Sequence, residues 1–103
     1  MSLEQYDRAG FIVDECCWYY DVTREQVVSR DRSGRGRWPI CACRLMIAQL
    51  INELTDLTQK ESAELVHRSR DTVTMRLREF GRAIFLRADK DKIKKRLREL
   101  GVV

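Results

Sequence analysis

The chain alternates between stretches of helical hydrophobic spacing and short polar breaks. In residues 3 to 20, "LEQYDRAGFIVDECCWYY", Leu3, Tyr6, Ala9 or Gly10, Val13, Cys17 and Tyr20 recur at steps of three and four, the period of an amphipathic helix. Gly10 costs such a helix about 1 kcal/mol without forbidding it. The segment "TREQ", Thr23 to Gln26, has the form of a capping box, in which the threonine hydroxyl accepts from the Gln26 amide and the Gln26 side chain reaches back. A short helix with Val27 and Val28 inward is expected to follow.

Residues 30 to 39, "RDRSGRGRWP", have no hydrophobic period and read as a basic loop. Pro39 suits the first turn of the next helix, where its missing amide hydrogen would be unpaired anyway. That helix, "PICACRLMIAQLINELT", is apolar through Ile40, Leu45, Met46, Ile47, Leu50, Ile51 and Leu54, so it is expected at the centre of the core. Arg44 is the exception in its first turns; such a charge either snorkels to the surface or reaches a specific partner.

A second capping box, "TQKE" from Thr58 to Glu61, opens a short helix carrying Ala63, Leu65 and Val66. After the turn "HRS", Ser69 can cap a helix from Arg70 to about Leu86, with Val73, Leu77, Phe80 or Gly81, and Ile84 inward. The tail "ADKDKIKKRLRELGVV" forms a last helix with Asp89 as its cap and Ile93, Leu97 and Leu100 as its apolar stripe. The expected fold is all-α: one domain over residues 1 to 103, a compact bundle of five to six helices containing a helix-turn-helix.

Charge sharpens this picture. Residues 1 to 29 carry six acids against two bases, whereas residues 30 to 103 carry eighteen bases against ten acids. A basic face favours a polyanion, because each phosphate neutralised releases condensed counterions. The four cysteines form two close pairs, Cys16 with Cys17 and Cys41 with Cys43. Neither has the spacing of a zinc knuckle, so free thiols in a small buried role are expected, and no metal. His67 is the single histidine, and no nucleophile with a base surrounds it, so neither an enzyme nor a cofactor or small-molecule substrate is expected. The opening "MSLEQYDRAG" lacks the layout of a signal peptide, and no apolar run approaches the roughly 18 residues of a membrane helix. A cytoplasmic protein without a membrane partner is expected.

In a helix-turn-helix the first residues of the second helix enter the major groove while the first helix crosses the backbone. Here those residues are Arg70, Asp71, Thr72 and Thr74, with Arg76 and Arg78 further on. Their chemistry suits double-stranded DNA. Arginine donates a bidentate pair to a guanine edge, threonine offers a hydroxyl and a methyl, and aspartate accepts from cytosine or orients a neighbouring arginine.

The order of these segments, "WYYDVTREQVVSRDR", "CRLMIAQLINELTDLT" and "SRDTVTM", resembles the C-terminal DNA-binding domain of the bacterial replication initiator DnaA, of the Trp-repressor superfamily. The similarity covers residues 11 to 86. It implies that Arg44 opens the core helix toward a minor groove and that Arg70 to Thr74 correspond to the signature at the start of the recognition helix. It also implies a nucleoid-associated protein of a bacterium or phage. The sequence departs from the family where Thr72 and Val73 replace a histidine and a threonine, and where Arg68 and Ser69 replace a glycine pair. The family's usual origin box is therefore not the expected target. No GxxxxGK loop accompanies the motif, so any action on DNA is expected without an ATPase.

The remaining expectations concern the periphery. Arg35 and Arg37, beside Gly34 and Gly36, suit a narrow minor groove or phosphates together with Arg44. Lys60, Arg68 and Arg76 are expected at the backbone, and Trp38 is expected to brace the loop by packing on the core. The acidic first helix or the basic last helix offers a surface for a protein partner. Replication-origin recognition or its regulation is the expected role; a transcriptional regulator of the same fold, or a protein-interaction adaptor reusing the scaffold, are the alternatives.

Overall fold

The computed structural model describes residues 3–29 and 38–103. They form six helices: α1 (Leu3–Tyr20), α2 (Arg24–Val28), α3 (Trp38–Leu54), α4 (Gln59–Leu65), α5 (Arg70–Arg82) and α6 (Leu86–Glu99). No strand occurs among the described residues. The expected all-α bundle is the fold observed.

α3 is the central element because almost every face of it is apolar. Ile40, Ala42, Cys43, Leu45, Met46, Ile47, Ala48, Leu50 and Ile51 are all buried, and α3 packs against each of the other five helices. α1 presents Ala9, Ile12, Val13, Cys16 and Cys17 to it, α2 presents Val27, and α6 closes the bundle with Leu86, Ile93 and Leu97. Complete burial of a large aliphatic side chain contributes about 1.5–3 kcal/mol, so this shared core dominates the stability. Ile12 and Cys16 lie on the buried face of α1 beside the expected stripe, which is therefore wider than a three-and-four count from Leu3 implies. Cys16, Cys17 and Cys43 are buried free thiols, as a small apolar role requires.

Both capping boxes form. Thr23 accepts from the Gln26 amide at 3.1 Å and donates its own amide to Gln26 Oε1 at 2.9 Å; Thr58 and Glu61 repeat the pair at 3.1 and 2.9 Å. Glu61 also accepts from the Tyr6 hydroxyl at 3.0 Å, which ties the start of α4 to α1.

Two boundaries differ from expectation. α5 ends at Arg82 rather than near Leu86, and Ala83 leaves the helix with its side chain buried. The short turn leaves Ile84 and Phe85 largely exposed and brings Leu86 into the core, so tertiary packing overrides a sequence with no strong breaker. α6 consequently starts at Leu86, and Asp89 is not its cap. Asp89 instead accepts from the Tyr19 hydroxyl at 2.8 Å and the Tyr20 hydroxyl at 3.0 Å, which locks α6 onto α1. Leu100 lies exposed at the C-cap of α6, leaving Ile93 and Leu97 as the buried part of its stripe.

A second clamp joins α6 to α3: Lys90 and Lys94 reach Glu53 at 2.9 and 3.5 Å. Burial alone would raise the Glu53 pKa, but hydrogen bonds from Gln49 and Lys90 and the charges of Lys90 and Lys94 outweigh it and hold the carboxyl below its usual range. A carboxylate with a lowered folded pKa adds stability that is present above its unfolded pKa and fades as pH falls through the folded one. In acid titrations followed by thermal unfolding, Glu53→Gln is expected to be less stable than wild type at neutral pH and to converge with it as pH falls through the lowered pKa of the folded carboxyl. The gap should be small, since partly exposed pairs contribute about 0.2–1 kcal/mol.

Candidate nucleic-acid interface

α4 and α5 are joined by the four residues Val66, His67, Arg68 and Ser69. The turn is tight because the end of α4 makes both bonds of a Schellman cap: the Arg68 amide donates to the Ala63 carbonyl at 2.9 Å and the His67 amide to the Glu64 carbonyl at 3.3 Å. That cap needs a left-handed residue, usually glycine. His67 takes the position with φ of 55°, which explains how a turn without glycine still closes. The side chain of His67 is exposed, so His67→Gly loses little packing and relieves the left-handed strain. It is expected to raise stability by up to about 1 kcal/mol in denaturant titration.

Ser69 caps α5 by accepting from the Thr72 amide at 3.2 Å, and its hydroxyl meets that of Thr72 at 3.1 Å. The α5 helix then divides cleanly. Val73, Arg76 and Phe80 face inward, while Arg70, Asp71, Met75, Arg78 and Glu79 are exposed and Thr72 and Thr74 are partly so. The Thr74 hydroxyl lies 2.5 Å from Gln59 Oε1 and 3.1 Å from the Arg70 carbonyl, which fixes the start of α4 against the start of α5. Between these starts runs an open crevice lined by Thr58, Gln59, Lys60 and Arg70. Two cationic side chains thus stand at adjacent helix beginnings, with Asp71 and Met75 continuing the outward face of α5.

The expected site residues do not all belong to this face. Val73 is 2% exposed and packs inside α5, so it anchors the helix and does not reach a base. Arg76 is 7% exposed, on the same inward stripe, so it does not project as a surface phosphate contact. Arg44 extends toward the end of α2, where its Nε donates to the Val27 carbonyl at 3.0 Å and its Nη2 to those of Gln26 and Ser29 at 2.9 and 3.0 Å. A cation there neutralises the carbonyl end of the short helix; entry into a minor groove requires Arg44 to leave these partners. Arg68 donates to the carbonyls of Ser29 and His67. Arg35 and Arg37 lie outside the described residues.

Trp38 does not pack on the core as expected. It is about half exposed, with its ring 5.2 Å from that of the exposed Phe85. Met75, 48% exposed, is a residue that the sequence reading passed over; its place four residues after Asp71 was the available signal, since positions i and i+4 share a helix face. Among the described residues no group of three or more metal-ligating side chains is assembled, and no helix is long and apolar enough to cross a membrane.

Comparison of the chain with protein-family models, with curated proteins and with solved structures returned no match.

Proposed function

We propose that this chain is a sequence-selective module for double-stranded DNA, in replication-origin recognition or its regulation. The observation that carries the proposal is the pairing of Lys60 and Arg70 at the starts of two helices joined by a four-residue turn. In this reading Arg70, Asp71 and Met75 meet base edges in the major groove, with Thr74 beside them, because the first three are exposed on one face of α5 and Thr74 is partly so. Lys60 meets a phosphate beside them. The resemblance to the C-terminal domain of DnaA supports the same assignment for Arg70, Asp71 and Thr74, and the basic balance of residues 30 to 103 supports a polyanionic partner.

The test is selection from random duplex DNA by the purified protein, followed by titration of the enriched sequences at two salt concentrations. A shared motif bound with steep salt dependence is the expected result. Enrichment of no sequence, with affinity that vanishes near physiological salt, would remove base reading from α5.

One observation favours the adaptor reading. α1 carries Glu4, Asp7, Phe11, Asp14 and Trp18 on its exposed side, an acidic and aromatic stripe unsuited to DNA. Failure of the duplex selection would direct the search to a basic protein partner for that stripe.

A further inference from the structure

The turn between α5 and α6 puts two large apolar side chains into solvent. Ile84 and Phe85 each keep about two thirds of their surface exposed, and Trp38, about half exposed, sets its ring 5.2 Å from that of Phe85 at a tilt of 46°. Single exposed hydrophobes are ordinary; adjoining ones on a small domain mark a contact surface. The turn is firmly held: Ala83 and Leu86 are buried on either side of it, and the Leu86 and Arg87 amides donate to the Ala83 and Ile84 carbonyls at 2.9 and 3.1 Å. Its two middle residues nevertheless stay outside, beside the first residue of α3.

Charge frames the ring pair. Arg82 ends α5 just before the turn, and Arg87 lies just after Phe85 in the first turn of α6. Both are exposed, and among the described residues neither side chain makes an ion pair or a hydrogen bond. Glu79 and Asp91 stand one helical turn from Arg82 and Arg87 but form no ion pair with them, and Asp89 is engaged by Tyr19 and Tyr20. Two cations without an ion-pair partner, close in the chain to exposed flat rings, suit a polyanion that also offers flat apolar faces. Duplex DNA supplies the charge but keeps its base faces stacked inside. An unpaired strand supplies both, since its phosphates meet the arginines while its bases stack on the rings.

We infer that Trp38 and Phe85, flanked by Arg82 and Arg87, form a stacking platform for the unpaired bases of a single-stranded nucleic acid. The platform does not rest on duplex reading by α5, because Lys60, Arg70, Asp71 and Met75 take no part in it.

Titration of the full chain with oligo-dT of about 12 nucleotides at low salt tests this, since such a strand cannot pair with itself. Trp18→Phe leaves Trp38 as the sole tryptophan, and a base stacked on its ring should quench its fluorescence saturably. Phe85→Ala should weaken oligo-dT by about fivefold or more, while Arg82→Gln and Arg87→Gln should each lower the salt slope by about 0.7. Phe85 lies outside the core, so its replacement should leave thermal unfolding nearly unchanged. If Phe85→Ala does not fold, quenching of Trp38 in the Trp18→Phe protein still decides. Oligo-U beside oligo-dT ranks RNA against DNA, and a response to either supports the platform.

Oligonucleotide binding with neither quenching of Trp38 nor loss in Phe85→Ala would place the strand elsewhere and overturn the inference, as would absence of binding to both strands. A Trp38 response to vesicles of phosphatidylglycerol and phosphatidylcholine, with none to either oligonucleotide, would overturn it in favour of a lipid surface. Quenching by oligo-dT in a protein that selects no duplex sequence would retain the platform and reject base reading by α5 alone. A selected duplex motif without quenching by either strand would do the reverse.

Discussion

Replacing Arg70 by alanine is expected to weaken binding to the selected duplex by about 1 to 3 kcal/mol and to relax the preference at one base pair. Arg70 is the first residue of α5, exposed, and its backbone is held by the Ser69 cap and by the Thr74 hydroxyl on its carbonyl. A bidentate contact depends on this kind of fixed origin, because a fork that must be ordered on binding loses part of its gain to side-chain entropy. Lys60 provides the internal control. Its flexible ammonium is a point charge, so Lys60→Ala should weaken every duplex alike and lower the salt slope by about one. Fluorescence anisotropy on the selected sequence and on single-base variants separates the two patterns. If both substitutions weaken every duplex to the same extent, Arg70 reads no base.

The second large effect is expected in stability. Asp89→Ala should cost about 2 to 3 kcal/mol in urea unfolding, near the range for a hydrogen bond to a charged group. Asp89 accepts from two tyrosine hydroxyls of α1 at once, and burial, reinforced by the hydrogen bond to Asp89, pushes the Tyr20 pKa far above its ordinary value. Removal of the carboxylate leaves the partly buried Tyr20 hydroxyl without its acceptor. Tyr20→Phe removes donor and demand together and should therefore cost less than Asp89→Ala. An equal or larger loss for Tyr20→Phe would mean that the clamp acts through packing of the ring alone.

Much of the helical architecture was legible because its signals are local. The two capping boxes, the Ser69 cap and the proline at the start of α3 each depend on residues within one turn, and these three caps form where the spacing indicated, whereas the expected Asp89 cap does not. The apolar excess of α3 likewise required its central position. The α5–α6 junction was not legible in this way. No proline marks it, and the helix stops only because burial of Ala83 and Leu86 against the rest of the bundle outweighs one more turn carrying Ile84.

The candidate interface divides along the same line. Arg70, Asp71 and Thr74 could be chosen from their place after a cap, since the first turn of a helix follows from the chain alone. Val73 and Arg76 belong to the buried stripe, and the arginine there contradicts the usual rule that a charge marks the exposed side. Arg44 presented the same ambiguity. Its spacing allowed either the surface or a specific partner, and only the approach of α2 to α3 supplies the three carbonyls that it holds.

The sequence by itself determined the helical content, the caps of α2, α4 and α5 and the excess of bases after residue 30, because hydrophobic period, capping and charge are properties of neighbouring residues. The tertiary structure alone decided which of the arginines turn outward, that Asp89 clamps two tyrosines, and that Arg44 and Arg68 both donate to the Ser29 carbonyl. Those outcomes depend on contacts between segments 15 to 70 residues apart, and a side chain's partner at that distance is set by packing of the whole bundle rather than by its neighbours in the chain.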